Sequence, residues 1–186
     1  KIAFEKAGII RPNIPVIFAG LQPLPQAIQN KVDECQAQLY VAERDYFYQY
    51  TNDGQAWMFA SSGTTLKLPI GSLALENIST AVAAILLSGL TVSQAAIVQG
   101  IQQAKLQGRF EIRQIQDKTV IFDAGHNPHG VNFLLQQLRK FLEYNKQYTE
   151  VISVFSMLAD KDINSVVELL KDTVLTWKIA PLTVPR

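Results

Sequence analysis

The sequence predicts an α/β protein whose second half is a doubly wound, mostly parallel sheet. Three observations lead there. A strand–helix–strand–helix–strand succession occupies residues 119–180, and such alternation places parallel strands between covering helices. Residues 77–104 carry two apolar, small-residue helical patterns in succession. Between residues 39 and 68, short strand patterns are separated by Asn-Asp-Gly and Ser-Ser-Gly turns, so the first half mixes α and β.

Composition narrows the function classes. The chain has 186 residues, 48% of them hydrophobic and 18% charged, which excludes disorder and collagen-like structure. A formal net charge of +1 without any Lys/Arg cluster argues against a nucleic-acid partner. The longest apolar runs, such as 81–87, fall far short of the roughly 20 residues that cross a bilayer, so no membrane role is expected. Cys35 is the single cysteine and no charged-then-apolar leader opens the chain, which points to a reducing, cytoplasmic setting. Residue 1 is Lys rather than Met, and the opening residues read as the interior of an element. The chain is therefore expected to be a piece of a longer protein.

The elements follow in order. Val16 to Ala19 reads as a strand, Gly20 to Pro25 as a turn, and Gln26 to Gln38 as a helix with Ile28, Val32 and Cys35 on one face. Strands are expected at 39–41, 46–50, 56–60 and 64–68. A buried helix spans 77–90 and ends at Gly89, with Thr91 or Ser93 capping the next. That second helix repeats Ala96, Ile97, Gly100, Ile101 and Ala104 on one face, so the two helices should pack as a pair. Gly108 marks the expected boundary between a unit at 1–107 and a unit at 108–186. After it, the strand Thr119 to Phe122 ends in Asp123, and Asn127 and Pro128 start a helix. Val131, Leu134, Leu135, Leu138, Phe141 and Leu142 form the stripe of that helix. A strand at 151–155, a loop at 156–162, a helix at 163–174 and a strand at 178–180 complete the pattern.

In such sheets ligands bind beyond the carboxyl ends of the strands. Asp123, the His126 loop and residues 156–162 lie at that edge. A carboxylate there can hold a ribose hydroxyl or a metal, and the following helix N-terminus can attract phosphate; the alternative is that Asp123 and Asn127 only cap loops and helices. No Gly precedes a Lys, and neither G-x-G-x-x-G nor G-x-S-x-G occurs. The two histidines, His126 and His129, have no Cys near them, which disfavours a zinc site.

Four motifs in order carry a resemblance: Glu5-Lys6-Ala7-Gly8-Ile9, Leu106-Gln107-Gly108-Arg109-Phe110-Glu111, Phe122-Asp123-Ala124-Gly125-His126-Asn127-Pro128-His129 and Phe155-Ser156-Met157-Leu158-Ala159-Asp160-Lys161-Asp162. Trp177 to Pro181 and Pro185-Arg186 add a later match. Together they resemble the bifunctional folylpolyglutamate synthase/dihydrofolate synthase family of the Mur ligase superfamily. The resemblance implies that 1–107 is the C-terminal portion of a central ATPase domain and 108–186 an incomplete Rossmann-like domain. It implies an ATP-dependent ligase that uses Mg2+ and joins L-glutamate to dihydropteroate or a folate through an acyl phosphate, acting as a monomer. The P-loop would precede residue 1, so this chain alone is expected not to catalyse the reaction.

The resemblance also implies roles. Lys6 matches a lysine that becomes carbamylated and helps organise magnesium; its other reading is a surface Lys paired with Glu5. Asn77 matches an asparagine at the adenine, although Glu76 departs from the family pattern, and a helix N-cap fits it equally. Arg109 matches a hinge arginine on the ATP phosphates, or else serves structurally at the domain joint. Asp123 matches an aspartate at the nucleotide, plausible at the ribose, and His126 a histidine near the acyl phosphate and incoming glutamate. Lys161 and Asp160 face the closing cleft or form a solvated charge run, and Ser156 is a weaker candidate. Two other readings stay open: a noncatalytic nucleotide-binding or interaction module, and another Mur-type amino-acid ligase.

Overall fold

The computed structural model describes residues 2–20 and 23–182. Lys1, Leu21 and Gln22 of the expected turn, and Pro185-Arg186 lie outside the described residues. The chain divides into two compact units, Lys1–Ala104 and Lys105–Arg186.

The first unit opens with helix α1 (Ile2–Ala7), strand β1 (Val16–Phe18), helix α2 (Gln26–Cys35) and strand β2 (Leu39–Val41). Strands β1 and β2 pair in parallel, Val16 opposite Leu39 and Phe18 opposite Val41, which requires the crossover that α2 supplies. Ile28, Val32 and Cys35 are buried together with Ala7 and Ile10. The helix stops at Cys35 rather than at Gln38, because Gln36 turns left-handed at φ 49°. The Gln36 and Ala37 amides then fold back onto the Asp33 and Val32 carbonyls at 3.1 and 3.0 Å.

Strands β3 (Tyr46–Tyr50), β4 (Ala56–Ser61) and β5 (Thr64–Pro69) follow as an antiparallel sheet in sequence order. Ser62 and Gly63, both at positive φ (45° and 81°), make the two-residue link from β4 to β5 that matches strand twist. Alternation sends Tyr46, Trp57, Phe59 and Leu68 into the core. Helices α3 (Leu75–Leu87) and α4 (Gln94–Gln103) contribute Ile78, Val82, Ala83, Ile97 and Ile101 to the same cluster. The fully buried Trp57 keeps its indole N–H satisfied, donating from Nε1 to the Pro69 carbonyl at 2.8 Å.

Two details differ from expectation. Helix α3 begins at Leu75, where the Ala74 carbonyl accepts from the Asn77 and Ile78 amides at 3.0 and 3.1 Å. Asn77 therefore sits inside the first turn and is not the N-cap. On α4, Ile97 and Ile101 are buried, whereas Ala96 and Gly100 are exposed. Two isoleucines one turn apart already reach the core, so the small residues beside them face outward. Ser93 caps this helix, its hydroxyl accepting from the Ala96 amide at 3.2 Å.

The second unit runs β6 (Glu111–Ile115), β7 (Lys118–Phe122), α5 (Pro128–Tyr144), β8 (Ile152–Phe155), α6 (Ile163–Leu170) and β9 (Thr176–Ile179). Strands β8 and β9 are parallel, joined through α6. Val131 and Leu135 of α5 and Val166 and Leu170 of α6 share a buried cluster with Val174. Strand β7 pairs antiparallel with β6, Glu111 opposite Phe122 and Ile115 opposite Lys118. The sequence reading places no strand at 111–115. That segment alternates Glu111 and Arg113 with a single interior isoleucine, and its Gln116-Asp117 turn has no glycine, Gln116 itself taking φ 53°.

Candidate functional site

The site is built where β7 ends. Beyond Phe122 the chain leaves the strand as a loop, 123–127, and enters α5 at Pro128. Asn127 caps that helix, its side-chain oxygen accepting from the Gly130 amide at 2.8 Å, and Pro128 fills a first-turn position that needs no N–H donor. The Asp123 carboxylate braces the loop and reaches beyond it. Its Oδ1 accepts from the Gly125 amide at 2.7 Å and its Oδ2 from the Phe110 amide at 2.8 Å. Each oxygen keeps a second lone pair available.

The Phe110 contact brings in the turn that precedes β6. Gly108 and Phe110 both adopt left-handed backbone, φ 63° and 44°, with Arg109 between them. The Gly108 carbonyl accepts from the Ala124 amide at 2.8 Å, so the turn is docked on the 123–127 loop at two points. The exposed Arg109 guanidinium donates to the Gly108 carbonyl at 3.1 Å and otherwise faces solvent. The Phe110 ring meets Phe141 of α5 edge-on at 6.3 Å between centroids.

His126 stands on the same loop and is exposed. Its Nδ1 lies 3.0 Å from the Ala124 carbonyl oxygen. A carbonyl only accepts, so Nδ1 carries the proton and Nε2 is the nitrogen left to meet a ligand. The structure thus brings the Arg109 turn, Asp123 and the His126 loop into one corner of the second unit. This corner offers a guanidinium, an imidazole and a carboxylate to a polar ligand.

The other candidates lie elsewhere. Ser156 donates its hydroxyl to the Ala180 carbonyl at 2.6 Å, tying the end of β8 to the end of β9. Lys161 is half-buried, with its Nζ 3.6 Å from Asp160 Oδ2. Asp162 caps α6 by accepting from the Ser165 amide at 3.1 Å, and the Ser165 hydroxyl, with that amide second, holds its carboxyl below the usual range. An apolar cavity of about 370 Å³ at these strand ends is lined by Phe155, Ser156, Met157 and Trp177 among others. Lys6, on the last turn of α1, and Asn77, on the first turn of α3, belong to the first unit and are both exposed. Among the described residues no group of three or more His, Cys, Asp or Glu side chains could hold a metal ion.

Sequence reasoning passed over Glu111 and Arg113. Glu111 accepts from the Gly108 amide at 2.9 Å through Oε2 and from Arg113 Nε at 2.8 Å through Oε1. Opposite charges two residues apart share one face of a strand. That spacing was the available signal.

Residues 108–184 match the family model described as the Mur ligase, glutamate ligase domain. A dihydrofolate synthase/folylpolyglutamate synthase of Escherichia coli is 37% identical over 186 residues, covering 100% of this chain and 42% of the relative. That of Haemophilus influenzae is 30% identical over 97% of this chain and 44% of its own length. Among solved structures, E. coli FolC in complex with DHPP and ADP superposes with a TM-score of 0.80 at 36% identity, covering 100% of this chain and 43% of that one. A bifunctional folylpolyglutamate synthase/dihydrofolate synthase with Mn, AMPPNP and L-glutamate bound gives 0.81 at 33% identity, with the same coverage. The chain spans less than half the length of the curated relatives it matches. No helix among the described residues is long and apolar enough to cross a membrane.

Proposed function

We propose that the chain forms part of an ATP-dependent enzyme of the dihydrofolate synthase/folylpolyglutamate synthase family of Mur-type ligases, joining L-glutamate to dihydropteroate or a folate, a reading supported by its likeness to those synthases and to the glutamate ligase domain. The observation that carries this reading is the corner where the Arg109 turn is pinned to the Asp123–His126 loop. The reaction needs ATP to phosphorylate a carboxylate, after which the amine of glutamate displaces phosphate and an amide bond forms.

Each residue of the chain takes a role its chemistry allows. Arg109 holds phosphate oxygens with its planar fork and offsets charge as the phosphoryl group moves. Asp123 keeps lone pairs for a ribose hydroxyl while its two backbone bonds hold the loop. His126 turns Nε2 toward the acyl phosphate and the glutamate amine, where it orients them and stabilises developing charge. Asn77 matches an adenine edge with its amide, which both donates and accepts. Lys161, loosely paired with Asp160, supplies a second cation at the strand ends, and Ser156 keeps the β8 and β9 ends together beside it. Lys6 becomes an anionic group when its neutral amine adds CO2 and loses a proton, which turns a cation into a ligand suited to a hard metal. Much of the rate enhancement comes from positioning and charge neutralisation. The buried free thiol of Cys35 fits a cytoplasmic setting.

The test uses a full-length protein carrying this sequence. ADP is expected to appear only when both L-glutamate and a dihydropteroate or folate acceptor are present. ADP release indifferent to either one would overturn the reading.

A further inference from the structure

A turn with two left-handed residues around an arginine does not hold itself. Left-handed backbone is strained at a residue with a Cβ, and Phe110 adopts it at φ 44°. An exposed arginine such as Arg109 carries a long, mobile side chain, so its usefulness toward an anion depends on how firmly its own backbone is fixed.

Besides the Ala124 amide on the Gly108 carbonyl, two of the bonds that fix it end on carboxylates. Asp123 takes the Phe110 amide at 2.8 Å, and Glu111 takes the Gly108 amide at 2.9 Å, so the residues on both sides of Arg109 are held by negative charge. Glu111 is held in turn: Arg113 meets its Oε1 through Nε at 2.8 Å and through a terminal nitrogen at 2.6 Å. The Arg113 guanidinium lies 5.3 Å from the centroid of the Phe122 ring, on the neighbouring strand. A chain of contacts thus runs from Phe122 through Arg113 and Glu111 to the backbone beside Arg109.

We infer that Glu111, locked by Arg113, is a positioning residue that fixes the Arg109 turn for phosphate binding. It touches no substrate and acts through the direction it gives Arg109. The inference rests on the reading of Arg109 given above. It adds a residue pair on β6 to a site otherwise made of loop residues.

The test has two arms on the full-length protein. In the first, amide hydrogen exchange is followed at 106–111. Glu111→Ala is expected to speed exchange at Gly108 and Phe110 at least tenfold, Glu111→Gln much less because its amide oxygen still accepts, and Arg109→Ala hardly at all. In the second, steady-state kinetics are measured with ATP varied. Glu111→Ala is expected to lower kcat/KM for ATP roughly tenfold, mainly through KM, as expected for losing one charge-assisted bond. Glu111→Gln recovers most of that loss. In the Arg109→Ala background, Glu111→Ala is expected to cost less than twofold more. Unchanged exchange in Glu111→Ala, or a full tenfold further loss in the Arg109→Ala background, overturns the inference. A silent Arg109→Ala with exchange still accelerated by Glu111→Ala overturns instead the phosphate role of Arg109.

Discussion

The Gly125 amide donates to Asp123 Oδ1 at 2.7 Å, and a Cβ placed on Gly125 would stand 2.9 Å from that same oxygen. It would also stand 3.3 Å from Cγ2 of the buried Val131. The glycine is required here by close approach: the carboxylate that braces the loop occupies the space of a methyl group. Gly125→Ala is therefore expected to destabilise the second unit by about 1–3 kcal/mol, the range for forcing extra atoms into a packed site. Denaturant unfolding measures it. Shortening Asp123 to Ala removes the obstructing oxygen, so the double substitution should cost less than the sum of the two singles. Strict additivity would mean that the two residues do not compete for this space.

Arg109 is exposed, and the one described hydrogen bond of its side chain goes to the neighbouring Gly108 carbonyl. Changing it should leave folding within about 0.5 kcal/mol of the parent, as for other exposed surface sites. Function should respond far more. In the full-length protein, Arg109→Ala is expected to lower kcat/KM for ATP by about 10²-fold, the usual scale for removing one preorganised charge donor. Arg109→Lys keeps the charge and loses the fork, so it should recover only part of that loss. Lysine and arginine performing alike would show that a point charge suffices. Equal activity in all three would exclude a phosphate role.

How far the sequence reveals this site follows from the range of each signal. The Asn127 cap, the Pro128 start and the α5 stripe depend on neighbours a few residues apart, and the backbone realises them as read. Ser93 as the cap of α4 and the buried face of α2 are local in the same way. Strand β6 was not legible, because a hairpin built on Glu111 and Arg113 shows its logic only once Phe122 lies beside Arg113 and Glu111 curls back to Gly108. Asp123 illustrates the same limit. Its position at a strand end suggested a ligand contact, but its bond to the Phe110 amide, thirteen residues away, depends on tertiary folding. The left-handed turns at Gln36 and Gln116 break the rule that such positions belong to glycine or asparagine, which is why the end of α2 is read too far along and the β6–β7 hairpin is missed.

The same carboxylates set a pH response. Glu111 is held below the ordinary glutamate range, first by the Gly108 amide and then by Arg113, with desolvation opposing them. Asp162 is held down by the hydroxyl and amide of Ser165. For a carboxylate depressed in the folded state, the stabilisation is complete above its unfolded value, about 4 for Asp and Glu. It is lost as pH falls through the lower folded value. The second unit should therefore lose stability as pH is taken downward from about 4, starting at the 108–111 turn and the first turn of α6. Glu111→Gln and Asp162→Asn should each flatten that acid limb and change little at pH 7 beyond a constant offset. A denaturant series across acidic pH checks it, and an unaltered acid limb in both variants would refute the assignment.

The imidazole of His126 presents the last test, because its two nitrogens have separate tasks. Nδ1 is committed to the Ala124 carbonyl at 3.0 Å, which leaves Nε2 as the outward group. Asparagine places an amide near the Nδ1 position, and glutamine places one near Nε2. If His126 works through Nε2, then in the full-length protein His126→Gln should retain clearly more glutamate-dependent ADP release than His126→Asn. The difference should lie chiefly in kcat and in KM for glutamate, with KM for ATP little changed. Removing one such polar group costs on the order of 10²-fold in rate where it meets developing charge. If asparagine served better than glutamine, the bond to Ala124 would be the useful one, and His126 would hold the loop rather than touch the reacting groups.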